Sequence, residues 1–521
     1  MTEQMKKQID EIFHLWQNGV CPGGQVLIRQ GGQFVYDRCF GYADIENRLP
    51  VTDDSVFHVA SVSKQLTVFA VLLLQEDGLL DIDKDVREYI PELIRFDEPV
   101  TVRNLINNDS GIRDIWTLEM ARGVRIDDTI TQKDAITIIA NQTQLNFPPE
   151  TQYMYSNSNF VLLAEIAEKI SGKSLNDFLR ERVFGPLGMT STVIRDRYWQ
   201  RIDNRARSFW DNGTEYFHSV LNYGSYGSTS LHTTAHDFMK WMDNYKNPKV
   251  CKKETIDIMM TVPRLKGGAE TSYAGGLMIG ELDGHRYFKH GGSDAAFRSI
   301  IVGLPDDDIE LVILSNTQNT PTDPAAMAVL RILLGLEAPK RAEIETVENF
   351  DQSAAAGVYY ADLPDAITLD IVEEGGKLFL VETFDKAPLT HVRGNLYQVG
   401  HLDEYLLLGP DAPAIITTGT PMQLKKADAS PVPSEHLLRY EGRYESSEVE
   451  TAYEVTERDG GLYLYHFRNG ESRLYPIAHD RFVTDGQRST FVQFTRGSGG
   501  AVIGLTFSYG RVQNLPFSRV D

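Results

Sequence analysis

The sequence predicts a multidomain protein in which an α/β domain, an antiparallel sheet with helices, is followed by two small antiparallel β-barrel domains. Its 521 residues exceed what one hydrophobic core usually organises. Residues 1–335 mix helical and strand patterns, whereas residues 351–521 carry short strands and turns with few helical stretches. A sequence pattern also repeats in this second region. Together these observations favour a layered α/β domain followed by separate all-β domains.

The first domain is predicted over residues 1–335. Alternating apolar and polar runs on either side of Gly31-Gly32 indicate an early hairpin. A second group of strands is predicted late in the domain, before a helix at 324–334. These late strands are predicted at 276–280, 287–290, 297–302 and 310–315. Strands at both ends with helices between them predict one antiparallel sheet, built from both ends of the region and covered by helices.

The remaining chain is predicted as a linker, 336–350, and two β-barrel domains, 351–430 and 431–521. Gly357-Val-Tyr-Tyr aligns with Gly442-Arg-Tyr-Glu, and Glu374-Gly-Gly aligns with Asp459-Gly-Gly. The offset is 85 residues in both pairs, 357 to 442 and 374 to 459. A shared offset indicates two similar units, each a small antiparallel barrel. A single sandwich with coincidental Gly-Gly turns is the alternative.

Charge and composition limit the classes of partner. The net charge is −22, and no basic stripe reverses it locally, so nucleic acid is not expected to bind. The N-terminal residues lack the apolar core of a secretory signal, and no apolar run approaches the ~20 residues of a membrane helix. Cys21, Cys39 and Cys251 are scattered, without metal-ligand spacing, and are expected to be reduced thiols. The sequence therefore predicts a cytoplasmic protein with no membrane partner.

A first chemical motif lies where an extended segment runs into an apolar helix. Ser61 and Lys64 are three residues apart, so on a helix their side chains share one face. A serine hydroxyl needs an adjacent base, and a lysine can serve only where its surroundings lower its pKa. The apolar run after Lys64 indicates such a desolvated site. Ser-x-x-Lys arises about twice by chance in a chain of this length, so a helix-capping serine with a solvated lysine is the alternative.

A second motif lies in a turn-rich loop before a predicted helix at 160–170. Tyr155 and Asn157 are two apart, so on an extended segment their side chains point the same way. The Tyr155 phenol could relay a proton between Ser61 and a leaving group, and the Asn157 amide could orient Lys64 and a substrate carbonyl. A packed tyrosine beside an asparagine helix cap is the alternative.

The third motif is the segment His290-Gly291-Gly292-Ser293. Two glycines inside a strand indicate that a ligand backbone approaches closely. The N–H of Ser293 could complete an oxyanion hole with the N–H of Ser61. His290 could supply a hydrogen bond or a positive charge next to Tyr155, although a lone histidine can equally be structural.

These three motifs, in this order, resemble those of class C β-lactamases, DD-peptidases and their relatives, the penicillin-recognising hydrolases. Flanking segments such as Cys21-Pro-Gly-Gly and 102–114 are similar as well. The resemblance covers about the first 335 residues and implies a β-lactamase/transpeptidase-like catalytic domain. It implies that Ser61 is the nucleophile and that Lys64 and Tyr155 transfer protons. The substrate-binding side chains implied by the resemblance are those of Asn157, His290 and Arg298.

Two appended β domains resemble the architecture of bacterial D-aminopeptidases, in which a loop of the last domain reaches toward the active site. By this resemblance, residues 465–475 are the candidate loop. The His-Gly-Gly motif, in place of Lys-Thr-Gly or Lys-Ser-Gly, favours the same relatives. The resemblance implies release of N-terminal D-amino acids from small peptides or amides through an acyl-enzyme. Glu471 and Asp294 are both candidates to bind the substrate ammonium group, with Met278 adding apolar bulk nearby.

Several interpretations stay open at this point. The same chemistry would serve a β-lactamase, a DD-carboxypeptidase or an esterase, and a chain that had lost turnover would be a binding or regulatory protein. The barrels could mediate a homodimer or gate the pocket. No metal and no organic cofactor is implied by the motifs.

Overall fold

The computed structural model describes two compact units, one of Met1–Ile115 and Arg125–Ala338 and the other of Trp116–Val124 and Pro339–Asp521. The residues outside the description are 94–95, 97, 126, 338–343, 348–349, 362–366, 382–385, 401–403, 410–411, 418–419, 429, 431–432, 487–489 and 521. Part of the predicted linker 336–350 and the predicted boundary at 430/431 fall there. The segment Trp116–Val124 groups with the C-terminal residues, although the sequence predicts 1–335 as one domain.

The first unit is built on a seven-stranded antiparallel sheet. In sheet order its strands are Tyr273–Ala274, Leu277–Leu282, His285–Asp294, Phe297–Leu304, Ile309–Ser315, Gly24–Gln30 and Gln33–Phe40. The first strand of the chain pairs with the last strand of the unit, Gly24 opposite Ser315. The prediction of a single sheet formed from both ends of the region is therefore confirmed.

Helices cover this sheet, and most of them lie in the sequence between its N-terminal and C-terminal strands. They are Glu3–Ile12, Lys64–Glu76, Val102–Asn107, Gln132–Ala140, Asn157–Ser171, Leu175–Leu179, Gly185–Leu187, Ala235–Lys246, Lys253–Met260 and Thr322–Leu334. The first and last of these share an apolar core with one sheet face, in which Trp16 and Val329 are fully buried. Helix Lys64–Glu76 is buried on all sides from Lys64 to Leu74, which explains its almost continuous apolar sequence.

Three small groups of short strands lie in the segments between the main elements. They are Tyr42–Asp44 with Leu49–Pro50, Phe209–Asp211 with Tyr216–His218, and the three-stranded group of Phe57–His58, Leu231–Thr233 and Val193–Ile194. The last group matters for function because Phe57–His58 leads directly into the Ser61 turn.

The second unit contains two β domains. The first is a nine-stranded sheet of Gly357–Tyr360, Thr368–Glu374, Lys377–Val381, Lys386–Arg393, Leu396–Val399, Glu404–Leu407, Ala414–Thr417, Thr420–Gln423 and Lys425–Lys426. The other is a closed barrel of Gly442–Ser446, Thr451–Arg458, Gly461–His466, Gly470–Ala478, Arg481–Thr484, Phe491–Arg496, Val502–Tyr509 and Val512–Arg519. The prediction of two antiparallel β domains is confirmed, with full closure in the second.

The predicted repeat recurs in side-chain contacts. The hydroxyl of Tyr359 donates to the carbonyl of Ala355 at 2.6 Å, and the hydroxyl of Tyr444, 85 residues later, donates to the carbonyl of Tyr440 at 2.6 Å. The strands that carry these tyrosines both begin at a glycine with positive φ. The two β domains therefore share a local design, which argues against the single sandwich.

Within the second unit, the segment Trp116–Val124, which contains most of helix Ile115–Ala121, contacts the closed barrel. The hydroxyl of Tyr453 donates to the carbonyl of Ala121 at 2.7 Å, and the amide of Asn469 donates to the carbonyl of Met120 at 3.1 Å. Residues 465–475 form part of a hairpin between two barrel strands. Their approach to Ser61 stays a prediction. None of the helices described in this chain combines the length and apolar character needed to cross a membrane.

Candidate active site

Ser61 lies in a single 3₁₀ turn, Ala60–Ser63, between strand Phe57–His58 and helix Lys64–Glu76. Ala60 adopts a left-handed conformation with φ 47°, which is unusual for a residue with a side chain. The Ser63 hydroxyl donates to the Ala60 carbonyl at 2.5 Å and stabilises this turn. The strained turn presents Ser61 as a partly exposed residue directly before a buried helix.

Lys64 is fully buried, and its ammonium group contacts the nucleophile candidate. Its Nζ lies 3.0 Å from Ser61 Oγ, 2.8 Å from Asn157 Oδ1 and 2.6 Å from the carbonyl oxygen of Ser228. An ammonium group can donate to all three, whereas a neutral amine can keep two donations and turn its lone pair toward the Ser61 hydroxyl. We call Ser61, Lys64, Tyr155, Asn157 and Ser228 the Lys64 cluster.

Asp114 fixes the orientation of Asn157, the first residue of helix Asn157–Ser171. One carboxylate oxygen of Asp114 accepts from the Asn157 backbone N–H at 2.7 Å and from its side-chain Nδ2 at 2.8 Å. Because Nδ2 donates to this carboxylate, Oδ1 faces Lys64. The sequence reasoning missed Asp114, although it ends the flank 102–114 that carries the family resemblance.

The loop bearing Tyr155 is held by the segment before Asp114. Asn108, with φ 57°, accepts at its side-chain oxygen from Ser156 N at 3.1 Å and from Asn159 Nδ2 at 2.9 Å. Its carbonyl accepts from Met154 N at 3.0 Å. These contacts fix both sides of Tyr155, so the loop has one defined path to the site.

The aromatic ring of Tyr155 packs among the groups predicted to share its chemistry. Its centroid is 4.8 Å from Lys64 Nζ, 5.9 Å from the centroid of the Tyr273 ring and 6.1 Å from that of His290. Tyr273 is fully buried and was not singled out from the sequence. It joins the second motif to the third, since its hydroxyl lies 3.2 Å from His290 Nε2.

His290 is neutral at physiological pH. Burial, followed by the positive charge of Lys64, lowers the pKa of His290 to about 3. Its Nδ1 lies 2.7 Å from the Gly291 carbonyl, which can only accept, so Nδ1 carries the hydrogen and Nε2 accepts from Tyr273. Of the two roles predicted for His290, the hydrogen bond is consistent with this geometry and the positive charge is not.

Position 292 requires glycine because neighbouring parts of the protein leave no room for a side chain. A Cβ atom there would lie 2.3 Å from the carbonyl oxygen of Val59 and 2.3 Å from the hydroxyl of Ser299. The sequence reasoning attributed both glycines to a ligand, but the close neighbour of Gly292 is the turn that carries Ser61. At Gly291 the nearest neighbour of a Cβ would be 3.8 Å away. The oxyanion hole of Ser61 and Ser293 stays a prediction.

Arg298 lies opposite Ser293 in the neighbouring strand. Its guanidinium donates to the carbonyls of Ala295 at 3.0 Å and Phe297 at 2.8 Å, and burial lowers the pKa of Arg298 to about 10. These contacts hold the turn between two strands. The substrate-binding role of Arg298 stays a prediction.

Asp294, whose side chain is 17% exposed, belongs with the buried residues His58, Tyr223 and Thr229 to a second polar group, the Asp294 cluster. Its carboxylate accepts from His58 Nε2 at 3.1 Å, from the Thr229 hydroxyl at 2.9 Å and from the Tyr223 hydroxyl. Burial alone would raise the pKa of Asp294, but hydrogen bonds from His58, Tyr223 and Thr229 bring it below its ordinary value. The other ammonium candidate, Glu471, is paired with Arg458 at 2.5 Å. Both carboxylates are thus already engaged.

Residues 9–336 match the Beta-lactamase family, and residues 426–518 match a segment described as a domain of unknown function, DUF3471. The chain belongs to the Beta-lactamase family and is a serine-type hydrolase, as predicted.

The chain is similar, over all or part of its length, to three known proteins. It is 27% identical to a D-aminopeptidase from Cereibacter sphaeroides, covering 99% of each chain. The octameric penicillin-binding protein homologue from Pyrococcus abyssi has a TM-score of 0.59 and 21% identity, covering 88% of this chain and 97% of that one. A D-amino acid amidase from Ochrobactrum anthropi has a TM-score of 0.54 and 21% identity, covering 64% of this chain and 99% of that one. The two structures support the fold.

Proposed function

We propose that this hydrolase is a D-aminopeptidase that uses Ser61 as nucleophile and Lys64 as base. The observation that carries the proposal is the 3.0 Å contact between Ser61 Oγ and the fully buried Nζ of Lys64, whose other acceptors are fixed by the fold. The full-length similarity to a D-aminopeptidase, which includes both β domains, supports this substrate class over others of the family.

The proposed reaction proceeds in two steps. The Ser61 hydroxyl gives its proton to the amine of Lys64 while its oxygen forms a bond to the amide carbon. The N–H groups of Ser61 and Ser293 stabilise the negative oxygen that develops. The C–N bond then breaks, and the leaving amine takes a proton relayed from Lys64 through Tyr155. Water hydrolyses the resulting ester and returns the proton to Ser61.

The neutral state of His290 supports an amino-terminal substrate. Such a substrate carries an ammonium group, which a cationic third motif would repel. With the pKa of His290 lowered to about 3, this motif adds no positive charge beside Lys64 at neutral pH. The net charge of −22 also favours the approach of cations.

The homodimer stays a prediction that light scattering on the purified protein would test.

Substrate and nucleophile can be tested together. We expect purified protein to hydrolyse D-alanine p-nitroanilide faster than the L-isomer, a chromogenic cephalosporin or a short acyl ester. Ser61→Ala should lower kcat/KM by about 10⁴-fold or more, while Ser171→Ala, at the half-buried C-terminal end of helix Asn157–Ser171, should be without effect. Circular dichroism would establish that both variants fold.

Each other outcome has a defined meaning. Turnover retained by Ser61→Ala would refute the nucleophile. Faster hydrolysis of the cephalosporin or ester would refute the substrate class but not the chemistry. A protein that hydrolyses nothing, and in which a fluorophosphonate leaves Ser61 unlabelled, would be a binding or regulatory protein.

A further inference from the structure

The carboxylate of Asp114 is connected to the proposed base, Lys64, through a single amide. One oxygen of Asp114 accepts from the backbone N–H and the side-chain Nδ2 of Asn157, at 2.7 and 2.8 Å, and Asn157 Oδ1 accepts from Lys64 Nζ at 2.8 Å. Lys64 also contacts Ser61 Oγ at 3.0 Å. A carboxylate, an amide, an amine and a hydroxyl therefore form one hydrogen-bonded chain that ends at the nucleophile.

This hydrogen-bonded chain is buried apart from its last member. Lys64 is 0% exposed, Asp114 1% and Asn157 7%. Charges interact more strongly where water is excluded. The segment that carries Asp114 is also tied to the start of helix Asn157–Ser171, because the Ser158 hydroxyl donates to the carbonyl of Arg113 at 2.6 Å. The negative charge of Asp114 is thus held in a fixed position relative to Lys64.

Other charged and titratable side chains near Lys64 and its partners set the background for this interaction. They are those of Arg113, Tyr155, Tyr273, Lys289 and His290. Burial raises the pKa of Tyr273 well above its ordinary value, and burial with the positive charge of Lys64 lowers the pKa of His290 to about 3. Tyr273 and His290 are therefore both neutral near pH 7.

The two cations of this set have contacts of their own. Lys289 pairs with Asp323 at 2.8 Å, and the guanidinium of Arg113 donates to Gln142 at 3.1 Å. Within this group of side chains, Asp114 is therefore the negative charge that hydrogen bonds connect to Lys64.

We infer that Asp114 is a positioning residue that orients Asn157 and stabilises the ammonium form of Lys64 by its charge, an inference that rests on the function proposed above. When Lys64 takes the proton of Ser61 it becomes a cation, and a nearby anion lowers the energy of that state. The same anion stabilises the ammonium group before reaction and so raises the pKa of Lys64. Asp114 therefore makes Lys64 a stronger base and also raises the pH at which Lys64 is free to act.

The test compares Asp114→Asn with the parent, because asparagine keeps an oxygen acceptor for Asn157 and removes the charge. The readout is the second-order rate constant for labelling of Ser61 by a fluorophosphonate between about pH 6 and 10, since this probe has no group that titrates there. The rate at high pH should fall by less than about tenfold, and the midpoint of the acidic limb should move down by about one pH unit. Below that midpoint the variant should react as fast as the parent or faster.

Two further variants at position 114 separate charge from position. Asp114→Ala removes the acceptor as well as the charge, so the rate at high pH should fall by about 10²-fold. Asp114→Glu keeps the charge and should keep the midpoint of the parent while lowering the rate. This second variant tests the role of the charge even where Asp114→Asn does not fold, and a midpoint that moves down in Asp114→Glu would contradict that role.

The matched control is Asp237→Asn. Asp237 is 3% exposed, and one of its carboxylate oxygens accepts from Ser191 N at 2.7 Å and from the Thr192 hydroxyl at 3.0 Å. This control also replaces a buried carboxylate that accepts two hydrogen bonds at one oxygen, outside the Lys64 cluster. It should leave the midpoint where it is in the parent. Thermal melts at each pH would establish that the variants are folded.

The outcomes separate this inference from the proposed function. An equal fall in rate at every pH in Asp114→Asn would reduce Asp114 to a support for the start of the helix and overturn the inference. An equal shift of the midpoint in Asp237→Asn would overturn it as well. A parent protein whose Ser61 is not labelled at any pH would refute the nucleophile itself, whereas labelling with an unchanged midpoint in Asp114→Asn would refute only the role of Asp114.

Discussion

The Lys64 cluster and the Asp294 cluster each centre on an ionisable side chain held by several hydrogen bonds, yet they differ in which residue meets the solvent. Ser61, which contacts Lys64, is partly exposed. In the Asp294 cluster the three partners are at most 4% exposed: His58 2%, Tyr223 4% and Thr229 4%. A buried charge needs satisfied contacts in either case. Lys64 is fully buried and meets the solvent through Ser61, whereas the Asp294 side chain is itself 17% exposed and its partners are not. A reactive hydroxyl must be within reach of a substrate, and among these partners only Ser61 meets this condition.

The two clusters share their supporting backbone. Ser228, whose carbonyl accepts from Lys64, is adjacent to Thr229, which donates to Asp294. His58 precedes the Ser61 turn by two residues. The Asp294 cluster therefore positions the segments that carry the reactive groups, and the two clusters should respond differently to removal of their central charge.

The largest effect is expected for Lys64→Met. Removing the amine should lower kcat/KM for D-alanine p-nitroanilide by about 10⁴-fold or more, since the serine loses its base. Stability should fall far less, because methionine fills a similar volume. Steady-state kinetics and thermal melts would measure both. Activity within tenfold of the parent would show that Lys64 is not the base.

The converse pattern is expected for Asp294→Ala. Removing the carboxylate leaves three buried partners without their acceptor, so unfolding free energy should fall by about 3–5 kcal/mol. Activity per folded molecule should change by less than tenfold. Glu471→Ala, which removes an exposed ion pair with Arg458, is the control and should cost under about 1 kcal/mol. Urea unfolding would measure both, and a rise in KM confined to amino-terminal substrates would instead indicate that Asp294 binds the ammonium group.

A further buried carboxyl group, that of Asp109, tests through pH how much an insufficiently paired buried charge lowers stability. Burial, with some contribution from Glu150, raises the pKa of Asp109 to about 6, although Asn104 donates to it at 2.9 Å. The folded state therefore binds the proton more tightly than the unfolded state. Stability from this group is full below about pH 4, falls between about pH 4 and 6, and is reduced by about 3 kcal/mol above that range.

Asp109→Asn should remove this dependence and be more stable than the parent at pH 7. Urea unfolding at pH 4.5, 5.5 and 7 would measure the difference between the two proteins. An unchanged difference across these pH values would show that Asp109 titrates near its ordinary pKa.

The motifs were predictable because each depends on spacing within one helix, strand or loop. Ser61 and Lys64 are one helical turn apart, so their contact follows from local geometry. Ser228 contributes a backbone carbonyl, which every residue has, so no side-chain pattern marks it. The grouping of Trp116–Val124 with the second unit depends on Tyr453 and Asn469, more than three hundred residues later. Contacts over such separations leave no periodic signal in one sequence.

Apart from the control substitution, the smallest effect is expected for Thr229→Val, which keeps the shape of the side chain but removes one donor to Asp294. The loss should be about 1–2 kcal/mol in unfolding free energy, because two donors to the carboxylate remain. In the background of Asp294→Ala the same substitution should cost almost nothing, since its acceptor is already gone. A double-mutant cycle by urea unfolding would measure this coupling. Simple additivity would mean that Thr229 acts through other neighbours, and the Asp294 cluster would then not be one cooperative support for the Ser61 turn.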